Sequence, residues 1–531
     1  MTFTSQSIIL IFALALLMFF QPTITQFQIT DQHDPGPTIF RSYLGSEDDD
    51  IIVDIEKDDQ DSIYVVGYTT SPRFEIQDFE SVNHGQIDIL VAKISSEGIL
   101  LFVSLLGGSK NDIPEDFIVD GEQNLVIVGT TNSLDLPTTD NAFQNRTFGQ
   151  DTGFIIRLSP NGEIVYCSYF GGNNRDQISN VIETDTGDVV LLGKTQSHDF
   201  PLINSPRDEI LGSEDFFIAR FGKELDVLII SILWGSNSTD VVFTEGNPII
   251  LNSLNELVIG FSTNNIEFPQ KRYSEKESLD PFLIKFSLQG EYLSSLYVNN
   301  TAEDDEDTII SSIVEYDSDR YCVSGTLYTW FVWKIDPEIF VTTLDYENQG
   351  ARRIVFFDGM FDETVTDIDV NATGHIFILG NTTSPDFLRK DTMEEYSGGI
   401  DAFLLVLNPQ TLQTQFTTYL GGVDDEIGNH FVLDDSGKIF LVGSTSSIDL
   451  IPVHAFQSSK TDGKYGFDGY VWCIDITKDS ETETSDTTTT AVSIAQITLS
   501  EYEAITLVAL TLPSIVALII LYTLSRKERH N

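Results

Sequence analysis

A glycine that closes an apolar run recurs seven times along the chain and constrains its fold more than any other sequence feature. The seven copies are Gly67, Gly129, Gly193, Gly260, Gly325, Gly380 and Gly443, separated by 62, 64, 67, 65, 55 and 63 residues. Such a period indicates copies of one supersecondary unit. Because this unit is longer than the ~40–50 residues of WD40 or kelch repeats, the surplus must lie in loops.

Each unit contains four strand-sized apolar runs. One precedes a Leu-Gly-Gly-like turn, as at 105–108, and the next resembles residues 117–120. A third ends at the repeat glycine, and a fourth follows it, often opened by Asp as at Asp88. The runs are apolar at nearly consecutive positions, as expected for sheets covered on both faces. The sequence therefore predicts an all-β fold over residues 39–476, a seven-bladed β-propeller with four antiparallel strands per blade.

The two ends of the repeat region predict how the ring closes. The first unit is preceded by an orphan strand, Ile39 to Gly45, and the seventh ends at Asp475 with only three strands. We expect the N-terminal strand to lie beside Gly469 to Asp475 as the outer strand of the last blade, which removes exposed sheet edges. The alternative is a β-solenoid, which leaves this strand deficit unexplained.

The motifs of the unit resemble the bacterial and archaeal seven-bladed β-propeller repeat, called the SBBP repeat. They are Tyr-Leu-Gly-Gly, an Asp about five residues later, Val-Asp before a Val-Gly-x-Thr-x-Ser run, and Asp-Phe-Pro, best kept in the second, third and seventh copies. The fifth copy lacks the Gly-Gly turn and the Asp-Phe-Pro loop. The resemblance implies a propeller over roughly residues 39–476 and a surface or secreted protein, and it implies no shared catalytic activity.

Apolar segments at both ends predict a membrane-anchored exported protein. The unbroken apolar run from Ile8 to Phe20 predicts a signal peptide over residues 1–25. Residues 503–525 are long and apolar enough to predict a transmembrane helix, after a Thr-rich linker at 477–502. Basic residues in the tail, 526–531, place the C-terminus in the cytoplasm. We therefore expect a single-pass type I cell-surface protein with the propeller outside.

Composition narrows the classes of partner. The chain has 82 Asp plus Glu against 29 Lys plus Arg, a formal net charge of −53 that disfavours nucleic acid as a partner. Its three cysteines lie in apolar runs without metal-ligand spacing and are interpreted as buried free thiols. An exported chain could carry glycans at five Asn-x-Ser/Thr sequons, Asn145, Asn237, Asn299, Asn371 and Asn381.

Alternating strand directions place the loops after the second and fourth strands of every unit on one face, which receives the long inserts. An acid also follows each Gly-Gly turn there, at Asp50, Asp112, Asp176, Asp240, Asp307, Asp362 and Asp425. A ring of carboxylates suits calcium, the one cofactor that the sequence suggests. No copy has the Asp-x-Asp-x-Asp-Gly spacing of a calcium loop, and an Asp at a turn also caps backbone amides. Both interpretations remain open.

The sequence contains no recognisable catalytic motif. His198, beside Asp199, and His430, on a presumed inner strand, are the best candidates for proton transfer, although such imidazoles are more often packed or solvated. The sequence therefore favours adhesion to or recognition of an extracellular protein or glycan through the acidic loop face. The alternatives are a surface hydrolase or lyase with its site in the propeller channel, and a structural envelope component.

Overall fold

Seven antiparallel sheets of four or five strands, each formed mainly by consecutive strands, contain all but two strands of the described part of the chain. The computed structural model describes residues 38–147, 149–235, 240–241, 246–263, 279–298, 306–331, 334–346, 353–387, 392–461 and 466–476. The first strands of successive sheets contact one another and surround a central axis. The protein is thus an all-β, seven-bladed propeller, as the repeats predicted.

The strands of blades 1 to 4 follow one another along the chain. Blade 1 contains β2 (Asp50–Lys57), β3 (Ile63–Thr69), β6 (Asp88–Ile94) and β7 (Leu100–Leu106), with a hairpin of β4 (Arg73–Ile76) and β5 (Phe79–Val82) in its loop. Blade 2 contains β8 (Asp112–Val119), β9 (Leu125–Thr131), β10 (Thr152–Leu158) and β11 (Ile164–Phe170). Blade 3 contains β12 (Asp176–Glu183), β13 (Val189–Thr195), β14 (Asp215–Phe221) and β15 (Leu228–Trp234). In blade 4 the first strand is split into β16 (Asp240–Val241) and β17 (Ile249–Leu251), followed by β18 (Glu256–Thr263), β19 (Asp280–Ser287) and β20 (Tyr292–Tyr297).

Blades 5 to 7 complete the ring. Blade 5 contains β21 (Glu306–Asp317), β22 (Arg320–Phe331), β23 (Lys334–Asp345) and β24 (Arg353–Phe357). Blade 6 contains β25 (Glu363–Val370), β26 (Ile376–Thr382), β27 (Asp401–Leu407) and β28 (Thr414–Leu420). Blade 7 contains β29 (Glu426–Leu433), β30 (Lys438–Thr445), β31 (Asp468–Asp475) and, from the other end of the repeat region, β1 (Thr38–Leu44). Blade 5 lacks two motifs of the other copies and still forms a four-stranded sheet.

Strand β1 closes the ring as predicted. It pairs antiparallel with β31, so that Leu44 lies opposite Gly469 and Phe40 opposite Cys473. Phe40, Tyr43 and Leu44 are buried. The alternative of a β-solenoid is therefore wrong, because the first strand of the repeat region completes the last sheet.

Alternate residues of one strand pack against opposite neighbouring blades. In β9, Val126 and Val128 join the cluster that contains Ile178 of blade 3, whereas Ile127 between them joins the cluster that contains Tyr64 of blade 1. Each buried apolar side chain contributes roughly 1.5–3 kcal/mol to folding. This burial on both faces explains why the strands are apolar at nearly consecutive positions.

The repeat glycine is explained by a bulge in the first strand of the blade. In blade 3 the register between β12 and β13 shifts between Ile178 and Asn180, opposite Gly193. The bulge brings the carbonyl oxygen of Gln177 so close to Gly193 that a Cβ atom could not fit. The same close approach of a first-strand carbonyl occurs at Gly67, Gly129, Gly325, Gly380 and Gly443. The glycine is therefore required by backbone packing within the blade.

Replacing a repeat glycine by alanine is expected to be costly. We predict that Gly193→Ala destabilises the protein by about 3 kcal/mol, because the added methyl group overpacks a backbone contact that cannot relax by changing a rotamer. Gly222→Ala is the matched control, since the nearest atoms to its added Cβ lie 3.9 Å away. Thermal and urea unfolding of both variants would check this, and equal unfolding free energies would contradict it.

The three cysteines, Cys167, Cys322 and Cys473, are buried and free, which confirms their interpretation. Burial raises the pKa of the Cys167 thiol to about 12. The predicted signal peptide, linker, transmembrane helix and basic tail lie outside the described residues. Within the described residues, no helix has the length and apolarity that a membrane crossing requires.

Candidate functional site

The long loops of the blades lie on one face of the propeller, called here the loop face. In blade 3, the first strand starts at Asp176 opposite Thr195, where the second strand ends, and the third strand starts at Asp215 beside them. The loop that joins the second and third strands, 196–214, therefore lies at the same end as the start of the first strand. The tight turns at 184–188 and 222–227 lie at the other end.

Three of the predicted calcium ligands accept hydrogen bonds from the Gly-Gly or Gly-Ser turn that precedes the first strand of their blade. Asp112 is fully buried and accepts hydrogen bonds from the Gly108 amide at 2.7 Å, the Ser133 hydroxyl at 2.9 Å and the Thr131 hydroxyl. Asp176 makes the equivalent three contacts in blade 3. Asp50 accepts a hydrogen bond from the Ser46 amide at 2.5 Å. These carboxylates cap a turn, one of the two roles that the sequence left open.

The remaining four predicted ligands occupy other positions. In blades 6 and 7 the equivalents of Asp112 are Glu363 and Glu426, each one residue beyond the predicted Asp362 and Asp425. Asp425 accepts a hydrogen bond from the Ile400 amide at 2.9 Å, and Asp362 is exposed. Asp307 accepts one from the Leu279 amide at 2.7 Å, while the equivalent position in blade 5 is Thr308. The short strand β16 starts at Asp240.

The calcium hypothesis can be tested by metal removal. In the described part of the chain, no three His, Cys, Asp or Glu side chains are grouped so that they could hold a metal ion. If the buried carboxylates act as caps, EDTA will leave the melting temperature unchanged, because N–H and O–H donors already satisfy them. A melting temperature that rises with added calcium and falls with EDTA would instead support metal binding.

Three of the five sequons lie within the described residues. Asn145 is exposed in the long loop of blade 2. Asn371 is half-buried in a turn, where its side-chain oxygen accepts a hydrogen bond from the His375 amide at 3.0 Å. Asn381 is half-buried in β26 and accepts one from the Gly428 amide at 2.8 Å. Asn145 is thus the described sequon best placed to accept a glycan, and Asn237 and Asn299 lie outside the described residues.

A ring of polar side chains surrounds the central axis where the first strands bulge. We call it the axial ring; its members are Asp54, Asp116, Asn180, Asn247, Ser312, Asp367 and His430. Each lies thirteen residues before the repeat glycine of its unit, as Asp54 does before Gly67. In the sequence this position is polar in all seven units, so counting from the glycine would have found the ring. Only His430 was singled out beforehand.

The axial ring connects neighbouring blades. Asp54 accepts a hydrogen bond from the Phe117 amide of blade 2 at 3.3 Å, and Asp116 accepts one from the Val181 amide of blade 3 at 2.7 Å. Further contacts lead from Asn180 to Gly246 O at 3.1 Å, from Asn247 and Ser312 to Asp367 Oδ1 at 3.3 and 3.4 Å, and from Asp367 to the Phe431 amide at 3.3 Å. The ring thereby ties together the inner edges of all seven sheets.

His430 completes the axial ring through two carboxylates. Its Nδ1 atom lies 3.4 Å from Asp54 Oδ1 and 3.5 Å from Asp367 Oδ2. Burial alone would lower the pKa of His430, but the negative charges of Asp54 and Asp367 outweigh it and raise the pKa to about 10. Burial and the neighbouring Asp54 raise the pKa of Asp116 well above its usual range. His430 is therefore a cation at neutral pH, held between carboxylates of blades 1 and 6.

Two adjoining cavities open on the loop face. One, of about 460 Å³, is bounded by blades 7, 1 and 2; its wall includes Tyr68, Phe467 and His430. The other, of about 400 Å³, lies over blades 2 and 3 and is lined mainly by amide and charged side chains, among them Gln177. The two share Ile113 and Glu115. The sequence did not indicate these cavities, because their walls combine residues from four blades.

Comparisons with known proteins bear on the fold alone. No protein-family model matches the sequence, and no curated protein matches it either. Solved structures that match include a protein of unknown function from Dyadobacter fermentans, at 10% identity over 82% of this chain and 98% of that chain, with a TM-score of 0.40. An ulvan lyase matches at 10% identity over 76% and 92%, with a TM-score of 0.43. Hydrazine synthase of Kuenenia stuttgartiensis matches at 9% identity over 75% and 94%, with a TM-score of 0.44.

Proposed function

We propose that this chain is an exported propeller of the SBBP-repeat type, anchored at the cell surface by one C-terminal helix, that acts in adhesion or recognition through its loop face. The repeat motifs and the apolar segments at residues 8–20 and 503–525 support the family and the location. The observation that carries the function is the pair of adjoining cavities on the loop face. Their volumes, about 400 and 460 Å³, are those of ligand pockets.

The electrostatics of the channel favour recognition over the alternative of a hydrolase or lyase. A general base must be unprotonated near the working pH. His430 has a pKa of about 10 because Asp54 and Asp367 hold its proton, so it is a poor base. Its contacts instead join blades 6, 7 and 1. This structural role supports recognition through the loop face over catalysis by His430.

Attaching a polymer to either face tests the proposal. The native cysteines are buried, so a maleimide-linked polyethylene glycol will label an introduced cysteine selectively. Leu134→Cys places the label on the loop face, where Leu134 is 67% exposed. Glu97→Cys places it on the opposite face, where Glu97 is also exposed. The full chain is reconstituted in lipid vesicles, and its binding to a glycan array and to immobilised extracellular matrix proteins is measured.

We expect the label on the loop face to reduce binding at least tenfold and the label on the opposite face to leave it unchanged. Equal reduction by both labels, or by neither, would overturn recognition through the loop face. Release of reducing ends from a glycan by the wild-type chain would favour the enzyme alternative. Ordered arrays in the vesicle membrane without any binding would favour a structural envelope component.

A further inference from the structure

The two cavities adjoin at Ile113 and Glu115, which belong to the walls of both, and we treat them as one candidate site. Glu115 lies on the first strand of blade 2, between the apolar cavity on one side and the polar cavity on the other. A ligand that contacts Glu115 can therefore extend in both directions. The volumes of the two cavities, about 400 and 460 Å³, are in the range of ligand pockets, and both cavities open on the loop face.

The polar cavity presents side chains that are already held in place by hydrogen bonds. Gln177 Nε2 donates to Glu115 Oε1 at 2.8 Å, and Gln196 Nε2 donates to Glu214 Oε2 at 3.1 Å. Arg175 Nε donates to Asp151 at 2.8 Å. An amide has two N–H donors and a carbonyl acceptor, so one bond leaves further capacity on each glutamine. Planar groups fixed in this way can bind hydroxyl groups that both donate and accept, with little loss of conformational entropy.

The other cavity supplies an apolar surface. Tyr68 and Phe467 are half-buried in its wall together with Ile427. The face of an aromatic ring carries partial negative charge and attracts C–H groups. A pyranose ring has both kinds of surface that the site offers, because its axial C–H groups form apolar faces and its hydroxyl groups form a polar rim.

The charge of the site disfavours an anionic ligand. The polar cavity has two cationic side chains, Arg175 and Lys194, against four carboxylates, Glu115, Asp151, Asp176 and Glu214. His430 adds one cation in the wall of the other cavity, so that carboxylates still outnumber cations in the site. The chain as a whole carries a formal net charge of −53. A ligand with carboxylate or sulfate groups would be repelled on approach. An extended peptide is also a poorer match, because the cavity wall offers paired polar side chains where peptides use a sheet edge or an apolar groove.

From this geometry we infer that the site binds a neutral oligosaccharide, with a sugar ring against Tyr68 and Phe467 and hydroxyl groups at Glu115, Gln177 and Gln196. The inference rests on the proposed function and names its ligand class. Glu115 is the specificity-determining residue, since it is the polar side chain common to both cavities.

The test is a titration of the full chain with cellotriose, maltotriose, mannotriose and chitotriose, followed by intrinsic fluorescence and calorimetry. The variants are Glu115→Gln and Phe467→Ala, and the matched control is Glu163→Gln, an exposed residue in a turn on the opposite face. At least one trisaccharide is expected to bind, with a Kd raised at least tenfold in both site variants and unchanged in the control. Circular dichroism melting shows which variants are folded. Each site variant tests the site by itself, so one remains informative if the other does not fold.

Two further probes separate the ligand classes. Trigalacturonate and a neutral octapeptide are titrated under the same conditions. If either binds, and no neutral trisaccharide does, the oligosaccharide inference is overturned while recognition at the loop face stands. If no probe binds, or if trisaccharide binding is the same in Glu115→Gln, Phe467→Ala and wild type, the inference is also overturned. Failure of the proposed function would be seen in a different experiment, the polymer labelling. There, a polymer on the loop face would leave binding to the glycan array unchanged.

Discussion

Deletion of residues 38–44 is expected to abolish cooperative folding of the propeller. Strand β1 is the outer strand of blade 7, and its removal exposes the edge of β31 and uncovers the cluster around Trp472. The deletion also removes the buried side chains Phe40, Tyr43 and Leu44, each worth about 1.5–3 kcal/mol. We expect the purified variant to aggregate and to lose its sharp thermal transition in calorimetry. A cooperative transition at the wild-type temperature would contradict the closure.

A single substitution in β1 tests the same closure of the ring with a smaller expected loss of stability. The guanidinium of Arg41 lies 4.1 Å from the ring centroid of Trp472 and donates hydrogen bonds to Ile451 O at 2.6 Å and Glu394 at 3.1 Å. Arg41→Ala is expected to cost about 2–3 kcal/mol, because it removes the contact with the buried Trp472 ring and two partly buried hydrogen bonds. Arg353→Ala is the matched control, since Arg353 lies exposed in β24, the outer strand of blade 5. Urea unfolding of both variants measures the difference.

His430→Leu is expected to destabilise the protein by about 3–5 kcal/mol at pH 7, the cost of breaking a buried ion pair. Leucine fills a similar volume but leaves Asp54 and Asp367 facing each other without the cation between them. His198→Leu is the control, because His198 is exposed on the loop face. If the two leucine variants unfold at the same urea concentration, the axial ring does not stabilise the channel in the way its contacts indicate.

The pH dependence of stability provides a second test of the contribution of charged His430 to stability. Its pKa is raised in the folded state from 6.5 to about 10, so its contribution is fully present below pH 6.5 and is lost as the pH rises through 10. Burial also raises the pKa of Glu56 to about 8 and that of Asp369 to about 7. Their contributions are present at low pH and are lost as the pH rises through those values. The wild-type melting temperature should therefore fall between pH 8 and pH 10, and more steeply than that of His430→Leu; equal slopes would contradict this assignment.

The repeat glycine carried most of the information about the fold, and the structure gives the reason. A bulge opposite six of the seven glycines, all but Gly260, leaves no space for a side chain, so the residue recurs wherever a first strand bulges. The orphan strand at the start of the repeat region and the missing strand in its last unit were equally informative, because a closed ring leaves no blade incomplete. Both signals come from backbone geometry that recurs from blade to blade.

The positions of individual carboxylates were harder to predict. Asp362 precedes Glu363, and Asp425 precedes Glu426, so that two acids compete for one position at the start of the first strand. Counting seventeen residues back from the repeat glycine selects Asp112, Glu363 and Glu426 correctly, because the bulge fixes the spacing. The cavities could not be predicted in this way. Their walls combine Tyr68 of blade 1 with Phe467 of blade 7, and that proximity exists only once the ring is closed.

Closure by the first strand has a consequence for synthesis of the chain. Among the described strands of the propeller, β1 leaves the ribosome first, and its partner β31 follows last, more than 400 residues later. Until then the nascent chain carries Phe40, Tyr43 and Leu44 without the sheet that buries them, and such exposed strands are prone to aggregate. Earlier blades can form in turn as they emerge, whereas the ring of blades closes only after translation has passed Asp475. A chain terminated anywhere before that point would leave its leading strand available to chaperones or to a second copy.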